Sequence, residues 1–472
     1  MKKMAIMLVA TAMALEMSAW PQNAPDPQLM QEINRIPAID DHTHIPKVVA
    51  AGEKDDDYDA LPCAPLEPTA DATMVRPENP LFLQAWKDLY GYKFSDKSPE
   101  HVRELRAARE KVQREQGNNF PSWVLDRLNI RYMLANRIAM GPGLAAPRFL
   151  WVPYDDALLV PLNNQGLAGE NPDRKFFFSR EEMLLQRYVK DSGLSALPAT
   201  LDDYLARVVA PTLERQKKDG AVAIKFEAAY LRSLNFGEPN RAEAEQAYAH
   251  YAEGGTPPKS DYLALQDVLF REIARAAGRM GLAVHIHTGA GCGGYFDIAG
   301  SNPELLDSVL DDPTLRQTKF VLLHGGSGPY SKQTAFLLGK PNVYTDFSEQ
   351  DWMLSPRALS YVIRDWLEWY PEKVMFGTDL YPGNSPEYDW DSIGYMIATT
   401  GRQALALALT GMMQDGEISR ARAVQLAHMV LFDNAARLYG LARRDTQKTA
   451  TSSPRMNADD ADHRNLIGVY RR

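Results

Sequence analysis

The stretch Ile36-Pro37-Ala38-Ile39-Asp40-Asp41-His42-Thr43-His44 reads as the end of a β-strand. Its first four residues give that strand an apolar body. Side chains alternate along a strand with period two, so His42 and His44 share a face. Two imidazoles at i and i+2 can close on one metal ion. Such a pair is a weak sign alone, so its meaning depends on what later strands supply.

Working outward, further strands are expected at residues 130–138, 149–152, 221–227, 281–287, 319–324, 342–347 and 373–379. Helical patterning at 179–190, 200–220, 261–279, 302–310, 331–338 and 356–369 separates most of them. Thr200 suits an N-cap and Gly220 a helix stop. Helices at about 402–409 and 419–441 close the domain. Counting the strand that ends at His44, the chain carries eight strands in an alternating α/β order. That order implies a parallel sheet with right-handed crossovers, and eight repeats fit a (β/α)8 TIM barrel. A doubly wound sheet would place a Gly-rich phosphate loop after its first strand, and none is there.

Between the first and second strands lies a long insertion at about residues 45–129. It begins with the acidic run Asp55-Asp56-Asp57-Tyr58-Asp59, read as a solvated loop. A Pro-rich run to Pro80 follows, then helical patterning at 81–90 and 99–115. The barrel with this insertion is expected to occupy residues 25–443.

The N-terminus has the layout of a secretory signal peptide over residues 1–24: Met1-Lys2-Lys3, an apolar run to Leu15, then small residues around Ala19 and Ala24. The apolar run is short for a membrane span, so no stable span is expected once it is removed. Export to the periplasm or medium is the expectation, and a cytoplasmic protein the alternative if the segment stays uncleaved. The tail at 444–472 reads as disordered.

Hydrophobic content of 45% and charged content of 24% are those of a globular chain with material for a sizeable core. A net charge of −9 argues against a nucleic-acid surface, leaving a small molecule as the expected partner and a homo-oligomer open. Cys63 and Cys292 form no Cys-x-x-Cys motif and no disulfide framework; a single bridge stays open.

Barrel active sites sit at the C-terminal strand ends. Those ends carry His42 and His44, Asn136, Lys225, His285 and His287, His324, and Asp379. The segments His42-Thr43-His44, Val284-His285-Ile286-His287-Thr288-Gly289, Leu322-Leu323-His324-Gly325-Gly326 and Phe376-Gly377-Thr378-Asp379 occur in the order of the amidohydrolase superfamily. The chain resembles, more narrowly, the amidohydrolase-related family. Ala223-Ile224-Lys225 running into Ala228-Ala229-Tyr230, and Asp433-Asn434-Ala435-Ala436-Arg437-Leu438-Tyr439, are similar to nodulin-like amidohydrolase domains. The resemblance covers about residues 37–441 without most of the insertion.

On that resemblance the site holds a divalent metal, Zn²⁺ by the chemistry of imidazole and carboxylate ligands. His42, His44 and His287 form one face and Asp379 the other. His287 is preferred to His285 because it lies nearer the rim; His285 reads as a hydrogen-bonded core histidine. Asp379 handles the proton of the attacking water. His324 either polarises substrate beside one ion or binds a second, in which case a carbamylated Lys225 bridges the two. One ion is the preferred reading, with Lys225 then neutralising Glu227 or binding a substrate carboxylate.

Asn136, Arg137, Tyr230 and Arg232 are candidate substrate contacts, with ordinary loop ion pairs as the alternative for the arginines. In the nodulin-like domains Arg follows Ala-Ala-Tyr directly, whereas Leu231 intervenes here. Residues 289–294 read as a mobile loop over the pocket, with Cys292 structural, and Trp366, Trp369 and Tyr370 as packing. The resemblance implies hydrolysis of an amide, lactone or similar C–N or C–O bond. Metal-dependent decarboxylation is the alternative chemistry, and a binding protein that kept the fold the alternative class.

Overall fold

Short, almost wholly buried strands build the centre of the protein: β1 (Ala38–Thr43), β2 (Ile130–Asn136), β3 (Phe149–Val152), β4 (Ala223–Phe226), β5 (Ala283–His287), β6 (Phe320–Leu323), β7 (Val343–Asp346) and β8 (Val374–Met375). The computed structural model describes residues 24–50 and 52–441. The expected signal peptide, Ala24 apart, and the expected tail lie outside these residues.

All strand pairs are parallel, in two ladders ordered β1-β2-β3 and β4-β5-β6-β7-β8. Isolated bridges and backbone hydrogen bonds, rather than continuous ladders, join them at two seams. At one, Lys225 N–H donates to Pro153 O (2.8 Å) and Asp155 N–H to Lys225 O (3.0 Å). At the other, Asp379 N–H donates to His42 O and His44 N–H to Leu380 O, both at 2.7 Å. This is the α/β architecture of a (β/α)8 barrel, with the first and last strand ends tied together by the metal-motif segments themselves.

Alternation sorts the strand side chains into two layers. Ile224, Phe226, Val284, Ile286, Phe320 and Leu322 face the helices. Ala223, Ala283, Val321, Leu323, Leu134 and Leu150 pack in the interior with Tyr439. Lys225, His285 and His287 share the inward parity of Ala223 and Ala283. In β1 the register shifts between Asp40 and Thr43, which interrupts the simple alternation expected there.

The expected strands are present, shortened at their ends. The last stops at Met375 rather than Asp379, because residues 376–379 turn away to hydrogen-bond β1 and Val430. The helix expected at 402–409 is the long Trp390–Gln414 helix, which is buried on nearly all sides and so shows little amphipathic period. Residues 302–310 form 3-10 turns and one helical turn. The helix expected at 419–441 is broken by a wider π-type segment at Met429–Asp433. Helices at Pro27–Arg35, Phe120–Leu128 and Arg241–Tyr251 were not expected.

The insertion is helical over Pro80–Tyr90, Pro99–Gln116 and Phe120–Leu128. Arg109 pins it to the barrel through Asp389 (2.6 Å) and Asp391 (2.7 Å). The open question of a bridge is answered: Cys63 in the insertion and Cys292 after β5 form a disulfide, with Cα atoms 5.9 Å apart. Among the described residues no helix is long and apolar enough to cross a membrane.

Candidate metal centre

His42 Nε2 lies 3.0 Å and His44 Nε2 3.3 Å from the same Asp379 oxygen, Oδ1. Among the described residues these three form a group whose ligand atoms lie within 4.8 Å of one another. Asp379 adopts φ 53°, a left-handed conformation that costs energy for a non-glycine residue. The hydrogen bond from its N–H to His42 O holds it there and turns the carboxylate toward the histidines.

The donor set fits a divalent ion because each histidine can present a lone pair inward. His44 Nδ1 lies 3.0 Å from Asp59 Oδ2 and 3.0 Å from the Tyr154 hydroxyl. Donation of Nδ1–H to that carboxylate leaves Nε2 as the ligand atom, an arrangement common around metal-bound histidines. His42 Nδ1 faces the Asn136 amide, whose Oδ1 has no partner among the described residues. Turning that amide lets Oδ1 accept from Nδ1–H and frees Nε2 as well. His287 Nε2 donates to Ala290 O at 2.6 Å, leaving Nδ1 with the lone pair.

His287 stands one step away from the trio. Its Nδ1 lies 3.1 Å from His324 Nε2, and the His324 ring lies 5.0 Å from that of His42. The β5 loop that carries Ala290 packs closely on the turn after β6: a Cβ on Gly289, at φ +92°, would lie 2.3 Å from Ser327 N. His324 has φ 63°, with its N–H donating to Asp346 Oδ1 (2.9 Å) and its Nδ1 against Ser348 Oγ (2.9 Å). Ser348 in turn donates to Asp346 Oδ1 at 2.7 Å.

Burial favours neutral imidazoles, the form that binds metals. It pushes His42, His287 and His324 well below the usual histidine range, helped by the positive charge of Lys225. Burial also opposes charge on His44, but Asp59 and Asp379 outweigh it and raise its pKa to about 10. His285, pushed down to about 3 by burial and then Lys225, bonds Tyr439 at 2.8 Å one layer below.

Lys225 is fully buried, 3.4 Å from His42 Nε2 and 3.7 Å from Glu227 Oε1. Tyr230 sits at the rim, its ring 4.7 Å from that of His287.

Two candidate substrate contacts are engaged elsewhere, and one sequence expectation changes. The buried guanidinium of Arg137 is held by Asp55 (2.7 and 2.8 Å) and by the carbonyls of Ile45 and Ala139, the ion pairing expected as its alternative. Arg232 is equally engaged, with Asp267 (2.9 Å), Gln266 (3.1 Å) and Asn235 O (3.0 Å). The acidic run is not a solvated loop throughout, because Asp55 meets Arg137 and Asp59 meets His44.

Asn136 touches His42 rather than open pocket. Asp59, Tyr154, Asp346 and Ser348 escaped the sequence reading because no spacing ties them to the histidines they hold. Asp346 and Ser348 lie at and just beyond the end of β7, which is the signal that would have found that pair.

The sequence model of the family described as amidohydrolase matches residues 184–441, more than half of the chain. A curated relative, protein fluG of Emericella nidulans, is 30% identical over 186 residues, covering 39% of this chain and 20% of that protein. The chain thus matches about a fifth of that relative's length. Two solved structures share the fold. One, from Lactobacillus casei and described as a metal-dependent hydrolase, has TM-score 0.55 and 15% identity, covering 88% of this chain and 98% of that one. The other, glucuronate isomerase of Caulobacter crescentus, has TM-score 0.51 and 13% identity, covering 88% and 93%. The family match and the shared fold agree with strand ends that bring His42, His44 and Asp379 together, and the chain belongs to the amidohydrolase family.

Proposed function

We propose that the protein hydrolyses an amide, lactone or similar C–N or C–O bond of a small molecule, with one divalent ion, Zn²⁺, held by His42, His44, His287 and Asp379. The observation that carries this reading is the meeting of His42 Nε2 and His44 Nε2 at one oxygen of Asp379. The family match supports a metal-dependent enzyme, while an isomerase among proteins of the same fold shows why the bond cleaved needs its own test.

A bound divalent ion supplies Lewis acidity, lowering the pKa of water and polarising the substrate oxygen. The chain supplies the rest. Asp379 accepts the proton of the attacking water and returns it to the leaving group. His324, held by Ser348 and Asp346, presents Nε2 to the substrate side of the site. Asn136 and Asp59 orient the two β1 histidines, and Tyr230 lines the substrate side. Lys225 acts as an ammonium group beside Glu227, not as a carbamylated bridge. Export is supported by the Cys63–Cys292 disulfide, since such bonds persist in oxidising compartments.

Metal analysis of the purified protein should give one equivalent per chain; two would overturn the single-ion assignment. In an Asp379→Asn variant, kcat on an identified substrate should fall by about 10²–10⁴-fold, the usual weight of a positioned acid–base group. Carbon dioxide release without incorporation of water from solvent would replace hydrolysis by decarboxylation.

A further inference from the structure

One wall beside the metal centre buries more carboxyl groups than its neighbours pair. Asp59, Asp156, Glu181 and Glu227 are all buried there, Asp156 and Glu181 completely. Asp59 is satisfied by His44 and by Leu61 N–H. The others are not: both carboxylate oxygens of Glu181, Oε2 of Glu227 and Oδ1 of Asp156 have no hydrogen-bond partner among the described residues. Glu181 is a buried residue of the Pro172–Asp191 helix, which packs on the turns Asp156–Leu159 and Ala228–Leu231. Glu227 N–H donates to Asp156 Oδ2 at 2.7 Å, which locks two of these acids side by side.

The cations that face this wall are few. Lys225 reaches Glu227 only at 3.7 Å, and His44 is taken by Asp59 and Asp379. Arg180 acts on Glu181 from a distance, but its guanidinium donates to Asp59 O. Burial therefore pushes Glu181 well above the usual carboxylate range, with Asp156 adding to it, and pushes Glu227 up to about 8, with Asp59 adding to it. Aromatic rings stand beside it: Tyr58 and Tyr154 lie 6.3 Å from the His44 ring, and Tyr230 4.7 Å from that of His287.

We infer that this wall is a subsite for an alkylammonium group, so that the substrate carries a primary amine close to the bond that is cleaved. An ammonium has three N–H donors for separate acceptors, and its alkyl stem suits tyrosine faces. A small divalent ion suits the wall poorly. Among the described residues, the tight convergence of ligand atoms is found at His42, His44 and Asp379, not at Glu181, Glu227 and Asp156. An alkali ion shares the charge but not the stem, and the test separates the two. Calling the ligand a substrate rests on the hydrolase reading; the binding of an ammonium group does not.

The test is calorimetric titration of the full-length, zinc-loaded protein with butylammonium chloride, 1-butanol and potassium chloride. Butylammonium should bind with one site per chain, at least about tenfold more tightly than butanol, as expected for a charge-assisted contact. Glu181→Gln should weaken it by about tenfold at unchanged metal content. Equal binding of butanol, or a potassium response that butylammonium does not reproduce, would overturn the inference on the unmodified protein, whatever the variant does. Wild-type affinity in a folded Glu181→Gln protein would also overturn it. Ammonium binding in a protein that shows no hydrolysis would leave the subsite standing and remove the hydrolase reading instead.

Discussion

The imidazole of His324 is held on its Nδ1 side by Ser348 Oγ, while Nε2 faces the metal centre beside His287. Ser348 takes its own orientation from Asp346, which also accepts the His324 N–H. A single hydroxyl therefore relays the position of a carboxylate to a histidine that sits in a strained left-handed backbone. Losing such an orienting contact usually costs about 10–100-fold in activity. Ser348→Ala should lower kcat by that order with little change in KM, and Ser348→Thr, which keeps the hydroxyl, should recover most of it. Steady-state kinetics of the two variants checks this. A merely structural loss would not be rescued by threonine.

At the scale of elements, the insertion after β1 is tied to the barrel by unlike devices. Arg137 at the end of β2 grips Asp55, Arg109 grips Asp389 and Asp391, and the disulfide links Cys63 to the loop after β5. That loop also supplies Ala290 O to His287, so the covalent tie bears on the metal centre. The two cysteines are 229 residues apart in sequence, so the bond restricts a large part of the unfolded chain. Replacing both by alanine should lower stability by about 2–5 kcal/mol, read from denaturant midpoints. The loop expected to be mobile is thus stapled, for a reason that spacing between two distant cysteines does not reveal.

For the whole molecule, buried acids make stability depend on pH. Burial pushes Asp155 up to about 8 from its ordinary 3.8, against the hydrogen bond from Gln216 and with the charge of Asp156. The folded protein therefore holds this proton more tightly than the unfolded chain. The resulting contribution is complete below pH 3.8 and is lost as pH rises through about 8. Asp155→Asn, which keeps an acceptor for Gln216, should flatten the dependence across that window. Urea midpoints at pH 5 and pH 8 should show the variant gaining on the wild type as pH rises.

The sequence by itself determined the rhythm of strands and helices and the residue types at the strand ends. Apolar runs such as Phe320–Leu323 declare a buried strand locally, and His42-Thr43-His44 needs only short-range alternation to be noticed. Shifts such as the one in β1, and helices buried on all sides such as Trp390–Gln414, blur those local signals. Tertiary structure alone decided what each side chain meets. Arg137 and Arg232 look like free anion clamps until Asp55 and Asp267 arrive from distant segments, and Asp59 looks solvated until His44 faces it. Hydrogen bonds and charges act through space over a few ångströms, and nothing in chain order records which remote groups the barrel brings within that range.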